Sequence, residues 1–386
     1  MAPPLFCPIF ARPRLKNTEP PHVDKDGYIA FAADDPDDPA NWGSAHRWAI
    51  TTVVVVLATN ANVASAAPSA CLTSLTSHFG VSELAGGLVT TLFLVGFCVG
   101  PFLMAPLSEF YGRQGIFYKA FPLYLASNIL CAFAPNFAAM LVGRFFAGNL
   151  SSAALSNAPG VIADLWDVER RGNALALFST LTWLGTSLGP IVGGALELEK
   201  DWRWTFYFLL MLGAVSAVFM FMIPETHPPT ILLRRAVAAR KNKFPGFEGV
   251  RARIEDETPG LVGIYKVALL RPWQILFDPI SLLCSIYVAV AVGLYYMLFE
   301  IYPIVFQDMR GWNVAIGQLP LLGAVVGAVL GGVLVVLDTN RLKKKSKRIG
   351  VSLVHMDPEE RLPLAMAGGL GLAISMYWFA WSAHFK

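Results

Sequence analysis

Nine long apolar stretches run through the 386 residues, and the ninth, Leu362 to Ala383, stops almost at the C-terminus. A bilayer core of about 30 Å needs roughly 20 apolar residues per helix. The chain therefore reads as a polytopic, all-α membrane protein. Bundles made of duplicated helical repeats have even counts, so nine spans carry the expectation that something is missing.

Composition supports the bilayer. The chain is 55% hydrophobic and 15% charged, with a mean hydropathy of +0.52, against roughly one quarter charged in a soluble domain. A net charge of +3 and a pI near 8.5 give no support to nucleic-acid binding. Cys7, Cys71, Cys98, Cys131 and Cys284 are scattered, with neither metal-ligand spacing nor a disulfide framework. The six histidines lie in the tail or loops, away from any nucleophile. No Gly-rich loop ending in Lys-Ser/Thr occurs, so ATP-driven transport is not expected. We expect no enzyme, no cofactor and no metal.

The spans fall at about 48–67, 85–107, 116–134, 138–163, 172–195, 203–223, 278–306, 314–337 and 362–383. Residues 1–47 are polar, with an acidic cluster at Asp34, Asp35, Asp37 and Asp38, and lack the apolar core of a signal peptide. They read as a disordered cytosolic tail. Of the 30 Lys and Arg, 25 lie in that tail and in the loops on its side of the membrane, which places the N-terminus inside. The expected organisation is a six-helix bundle over 48–223, a basic cytosolic connector over 224–277 and a partial, three-span bundle over 278–386. From Ile231 to Arg253 the connector is either an amphipathic helix on the inner leaflet or a solvated linker whose charge enforces topology.

Several motifs sit on these spans. The loop after span two reads Ala105-Pro-Leu-Ser-Glu109-Phe-Tyr-Gly112-Arg113-Gln114, a tight turn with a glycine free to take strained dihedrals between charges. Span four opens Gly143-Arg144-Phe-Phe-Ala-Gly148. An arginine that far into an apolar helix faces a cavity or a partner, or snorkels to the headgroups. Span five holds Gly185-Thr-Ser-Leu-Gly189-Pro190-Ile-Val-Gly193-Gly194. Small residues four apart let helices approach closely, and the proline bends the helix.

Taken in order along the spans, these motifs resemble those of the major facilitator superfamily, and the glycine-rich one resembles the fifth-helix motif of its drug:proton antiporters. Ala105 stands where glycine is usual, and Phe110 and Gln114 replace expected bases. Asp38-Pro-Ala-Asn-Trp42, Pro224-Glu-Thr226 and Phe299-Glu300-Ile-Tyr302-Pro303 resemble segments of the twelve-span fungal multidrug transporters. The resemblance implies a major-facilitator-type helical bundle with a complete six-helix N-terminal half and an incomplete three-helix C-terminal half.

The implied function is export of small amphipathic molecules in exchange for protons, as a monomer in the plasma membrane. Rocking of two bundles about a central site would drive it. Arg144 and Glu300 are the expected proton-coupling residues, although a helix break at Pro303 would leave Glu300 merely hydrated. Gly185, Gly189, Pro190, Gly193 and Gly194 form the expected hinge, and Glu109, Gly112 and Arg113 the cytosolic latch. Asn60, Asn62, Asn149, Asn157 and Tyr296 are cavity candidates, and the asparagines serve equally well as interhelical hydrogen bonds. The alternative is a truncated, transport-incompetent fragment or, less in keeping with a short basic connector, a solute sensor.

Overall fold

A computed structural model describes residues 22–241, 249–257, 260–350 and 358–383. The first span, α1 (Ser44–Ala66), runs through a 3-10 segment (Ala67–Cys71) into α2 (Leu72–Phe79). A single turn, α3 (Glu83–Gly86), leads into α4 (Leu88–Tyr111). Then come α5 (Arg113–Ala132), α6 (Phe137–Leu165), α7 (Val168–Glu197) and α8 (Arg203–Met220). The connector contributes α9 (Pro228–Lys241), α10 (Arg253–Glu257) and α11 (Leu261–Leu276). Beyond it, α12 (Pro279–Tyr302) passes into a π-helical segment (Pro303–Met309). The short α13 (Val314–Gln318) precedes α14 (Leu322–Ile349), and α15 (Leu362–Ser382) closes the described chain. Short polar side chains punctuate these helices: Asn136, Asp278 and Asn313 each accept a backbone N–H of the first turn.

Four expectations change. The first span does not end at residue 67. Pro68 converts it to a tighter helix instead of stopping it, and Ser44 to Phe79 is one 36-residue rod, about 54 Å long. Hydropathy missed the extension because Ser69, Thr73, Ser74, Thr76 and Ser77 are polar. Among the described residues eight helices, not nine, are long and apolar enough to cross a membrane by length and composition. The exception is α5, which carries Gln114, Lys119, Asn128 and two tyrosines yet is helical throughout. The basic run Lys343–Lys345, Lys347 and Arg348 is not loop but the last turns of α14, where cations suit the helix dipole. Finally, the expected disordered tail over 1–47 is ordered from residue 22 onward; residues 1–21 lie outside the described residues.

The N-terminal six helices enclose a continuous core. In α1, 78% of the apolar stretch is buried, against none in α15. Tight crossings hold this half together. A methyl group on Gly96 or Gly148 would strike the backbone of the facing helix, so α4 and α6 touch main chain to main chain. The C-terminal helices meet this half chiefly through α7. Gly172 lies against Thr339, Gly332 against Thr180, and Gly194 against Gln318. Each step along α7 is thus matched by a nearly equal step back along α13 and α14, and the helices run antiparallel for their full length. Tail and connector lie at one end of the bundle, here the tail face.

Candidate translocation site

The break in α1 builds the centre of the site. Proline has no N–H, so Pro68 leaves the Ala64 carbonyl without its helical donor. The Arg144 guanidinium fills the gap. Its Nη1 donates to Ala64 O at 3.0 Å, Nη2 to Ser65 O at 3.4 Å and Nε to Val89 O at 2.9 Å. The group also lies 4.2 Å from the centre of the Phe93 ring. Arg144 is 0% exposed, so it does not snorkel to the headgroups. Among the described residues no carboxylate pairs with it.

The two halves meet beside this cradle. Tyr296 on α12 shares a 2.8 Å hydrogen bond with the Ser65 hydroxyl, on the residue whose carbonyl Arg144 holds. The neighbouring Tyr295 bonds the Ser187 hydroxyl on α7 and packs edge-on against Trp183 at 4.9 Å. Phe299, one turn on, is buried against Ala66 and Leu321.

The other cavity candidates are spread out. Asn60 accepts from Tyr124 Oη at 2.8 Å and donates to Ser216 Oγ at 3.4 Å, joining α1 to α5 and α8. Asn62 donates to Ala58 O and accepts from Thr186 on α7 at 3.4 Å. Asn149 lies in the α4–α6 crossing, its backbone N facing Gly96. Asn157 is fully buried, with neither amide atom paired among the described residues. Glu300 is exposed on α12, and no hydrogen bond or ion pair joins it to Arg144. The helix does not break at Pro303; it widens to the π form.

The glycine stripe faces two ways. A methyl on Gly185, Gly189 or Gly193 would meet Thr59 O, Val63 O or Ala67 O, between 2.5 and 2.9 Å. Gly194, one position round, faces Gln318 of the other half. Pro190 is buried inside an uninterrupted α7.

At the tail face, Gly112 takes φ +89°, a conformation other residues adopt only under strain. A Cβ there would also displace the Glu225 carboxylate. Arg113 donates to Ser108 Oγ at 2.9 Å and reaches Asp164 at 3.4 Å, and its backbone N–H donates to Glu225 at 2.9 Å. Glu225 also accepts from the backbone of Thr226 and His227 and from Arg234. Burial, and then the nearby Arg113 charge, push His227 down to about 4. Asp164 and Glu225 thus hold the turn that Gly112 and Arg113 begin. Neither residue carries a local sequence signal of this role beyond the place of Glu225 in the Pro224-Glu-Thr226 segment. Glu109 is exposed and lines a cavity of about 1090 Å³ between α4 and the connector helices, away from the meeting of the two halves.

A model of the Major Facilitator Superfamily matches residues 49–385. The chain belongs to the major facilitator superfamily. It is 38% identical over 357 residues to the "MFS-type efflux pump MFS2" of Trichophyton rubrum, covering 92% of this chain and 59% of that protein. It is 36% identical over 366 residues to the "Major facilitator superfamily multidrug transporter mdrA" of Aspergillus fumigatus, covering 94% of this chain and 60% of that one. The chain thus spans about three fifths of the length of these relatives. Its fold is similar to that of the xylose transporter XylE from E. coli in a partially occluded inward-open state (TM-score 0.54, 19% identity, 78% of this chain, 72% of that one). It is a multi-pass membrane protein of all-α fold, and its relatives and fold neighbours are transporters rather than enzymes.

Proposed function

We propose that the chain carries out proton-coupled export of small amphipathic molecules by alternating access, as a monomer in the plasma membrane with its N-terminus in the cytosol. The observation that carries this reading is the site of Arg144. A guanidinium without a counter-carboxylate, held by carbonyls of two helices, is a fixed positive charge at the contact between halves. Rocking that parted Tyr296 from Ser65 would loosen one side of its cradle. The electrostatic environment of a bound proton or ligand would then change with the state of the bundle. Glu300, acidic and exposed on α12, is the proton-carrying candidate of the other half. The Trp183, Tyr295, Tyr296 and Phe299 rings supply the apolar, stackable wall that amphipathic molecules favour. The relatives' names as efflux pumps, and the bias of Lys and Arg toward the tail face, point the same way.

Proteoliposomes carrying the chain and loaded with a fluorescent lipophilic amine test the reading. An imposed pH gradient should drive transport, and Arg144→Gln should abolish it while leaving the protein folded. Transport by Arg144→Gln at the wild-type rate would remove Arg144 from coupling, and transport indifferent to the gradient would remove the antiport.

A further inference from the structure

The N-terminal segment preceding α1 is fastened to the connector by charge and by a small apolar core. Arg235 on α9 takes both oxygens of Asp35, at 2.5 and 2.7 Å, and one of Asp37 at 2.5 Å. The two aspartates are only 9% and 7% exposed. Burial acts to raise Asp35, but the Arg235 contacts outweigh it and hold the carboxyl below its usual range. Ile29 is buried with Ala236, Val250 and Ala252, and its N–H donates to Arg251 O at 3.0 Å. Arg253 adds a second ion pair, to Asp26 at 3.1 Å.

Both ends of this arrangement are tied to the N-terminal half. Toward α1, Trp42 Nε1 donates to Pro36 O at 3.0 Å, and Arg47 donates to Leu165 O at the end of α6 at 3.3 Å. Toward α9, Glu225 binds Arg234 and the N–H of Arg113. Within the connector, Arg240 grips Glu255 through both nitrogens, joining α9 to α10. Two of the four acidic residues, Asp35 and Asp37, are therefore partners placed against one arginine, and Asp38 caps the turn that follows by accepting the Ala40 N–H.

We propose that residues 22–43 form a strap that makes α9 and α10 part of the N-terminal half, leaving residues 258–278, whose α11 meets α4 where Tyr265 Oη donates to Leu103 O at 3.1 Å, as the link to the C-terminal half. The consequence is large. With α9, α10 and α11 kept helical, a free connector over 224–277 would reach about 120 Å. The unstrapped remainder, 16 residues of it helical in α11, reaches about 40 Å. The strap thus limits how far the halves part at the tail face, a role that rests on the rocking reading given above.

Spin-label distances in lipid nanodiscs, in a background with the native cysteines replaced by alanine, test this. A strap pair, Ala33→Cys with Val237→Cys, should give one narrow distance. An interhalf pair at the tail face, Glu169→Cys with Asn340→Cys, should report the separation of α7 from α14. Arg235→Gln should broaden both distributions, and exchanging the charges (Asp35→Arg and Asp37→Arg with Arg235→Glu) should restore both. A strap pair unmoved by Arg235→Gln, or one that broadens while the interhalf pair stays narrow, would overturn the proposal. Neither reading requires transport. If both pairs respond while proteoliposomes show no gradient-driven flux, the strap stands and the transport reading falls.

Discussion

Replacing Gly189 by alanine tests the close approach of α7 to α1. The new methyl would sit 2.8 Å from Val63 O and 2.9 Å from Ala67 N, both backbone atoms of α1 and its 3-10 extension. Real Cβ contacts keep about half an ångström more, and no side chain can swing aside, so α7 must back away or α1 must bend. Overpacking of this kind costs about 1–3 kcal/mol, while alanine returns up to roughly 1 kcal/mol of helix propensity. The net loss is about 1–2 kcal/mol, read as a melting temperature lower by a few degrees. Gly193→Ala, at 2.5 Å from Ala67 O, should cost at least as much. Gly172→Ala meets only the Thr339 side chain and should cost less. Gly331→Ala has open space around it and should be neutral or slightly stabilising. Thermal unfolding of the four variants in one detergent, followed by tryptophan fluorescence, gives the ranking. If Gly189→Ala melts like Gly331→Ala, α1 and α7 do not meet backbone to backbone and the hinge argument fails.

Other expectations follow from the same geometry. Gly112→Ala must hold φ +89° and displace Glu225; about 2–4 kcal/mol of destabilisation is expected from strain and lost hydrogen bonds, and wild-type stability in a denaturation series would refute it. Neutral His227 is held well below its ordinary value of 6.5; its contribution is present above that value and is lost as pH falls toward about 4. Melting temperatures should therefore decline with acidification across that window, less steeply in His227→Gln. Arg144→Lys keeps the charge but not the planar fork that reaches carbonyls of α1 and α4 together; gradient-driven flux should drop at least tenfold, and the melting temperature should fall by a few degrees as buried carbonyls lose their donors. Tyr296→Phe removes the bond to Ser65 and should weaken the interhalf contact by about 1 kcal/mol, visible as faster cysteine labelling near Ser65.

Much of the architecture was legible because burial in lipid imposes one rule on every span: about 20 apolar residues, helical. That rule located the long apolar helices. It failed where polarity was satisfied by neighbours. Tyr124 and Asn128 of α5 are tolerated because other helices cover them, and a window of sequence has no sight of those helices. Motif residues were found, but their partners were not. Arg144 announces itself as a charge in an apolar run, whereas its ligands are main-chain carbonyls that carry no sequence signature beyond Pro68. Gly112 and Arg113 stand out as a turn, whereas Asp164 and Glu225 are 50 and more residues away.

By itself, then, the amino-acid order determined that this chain lives in a bilayer and which residues are out of place there. Hydrophobic periodicity and stray charge are local properties, written residue by residue. The tertiary structure decided what answers each irregularity: main-chain carbonyls of two helices, one of them freed by a proline, for Arg144, a backbone groove for the glycine stripe, and one arginine of the connector for Asp35 and Asp37. Those answers depend on atoms brought together from distant positions, and only the packed chain brings them within reach.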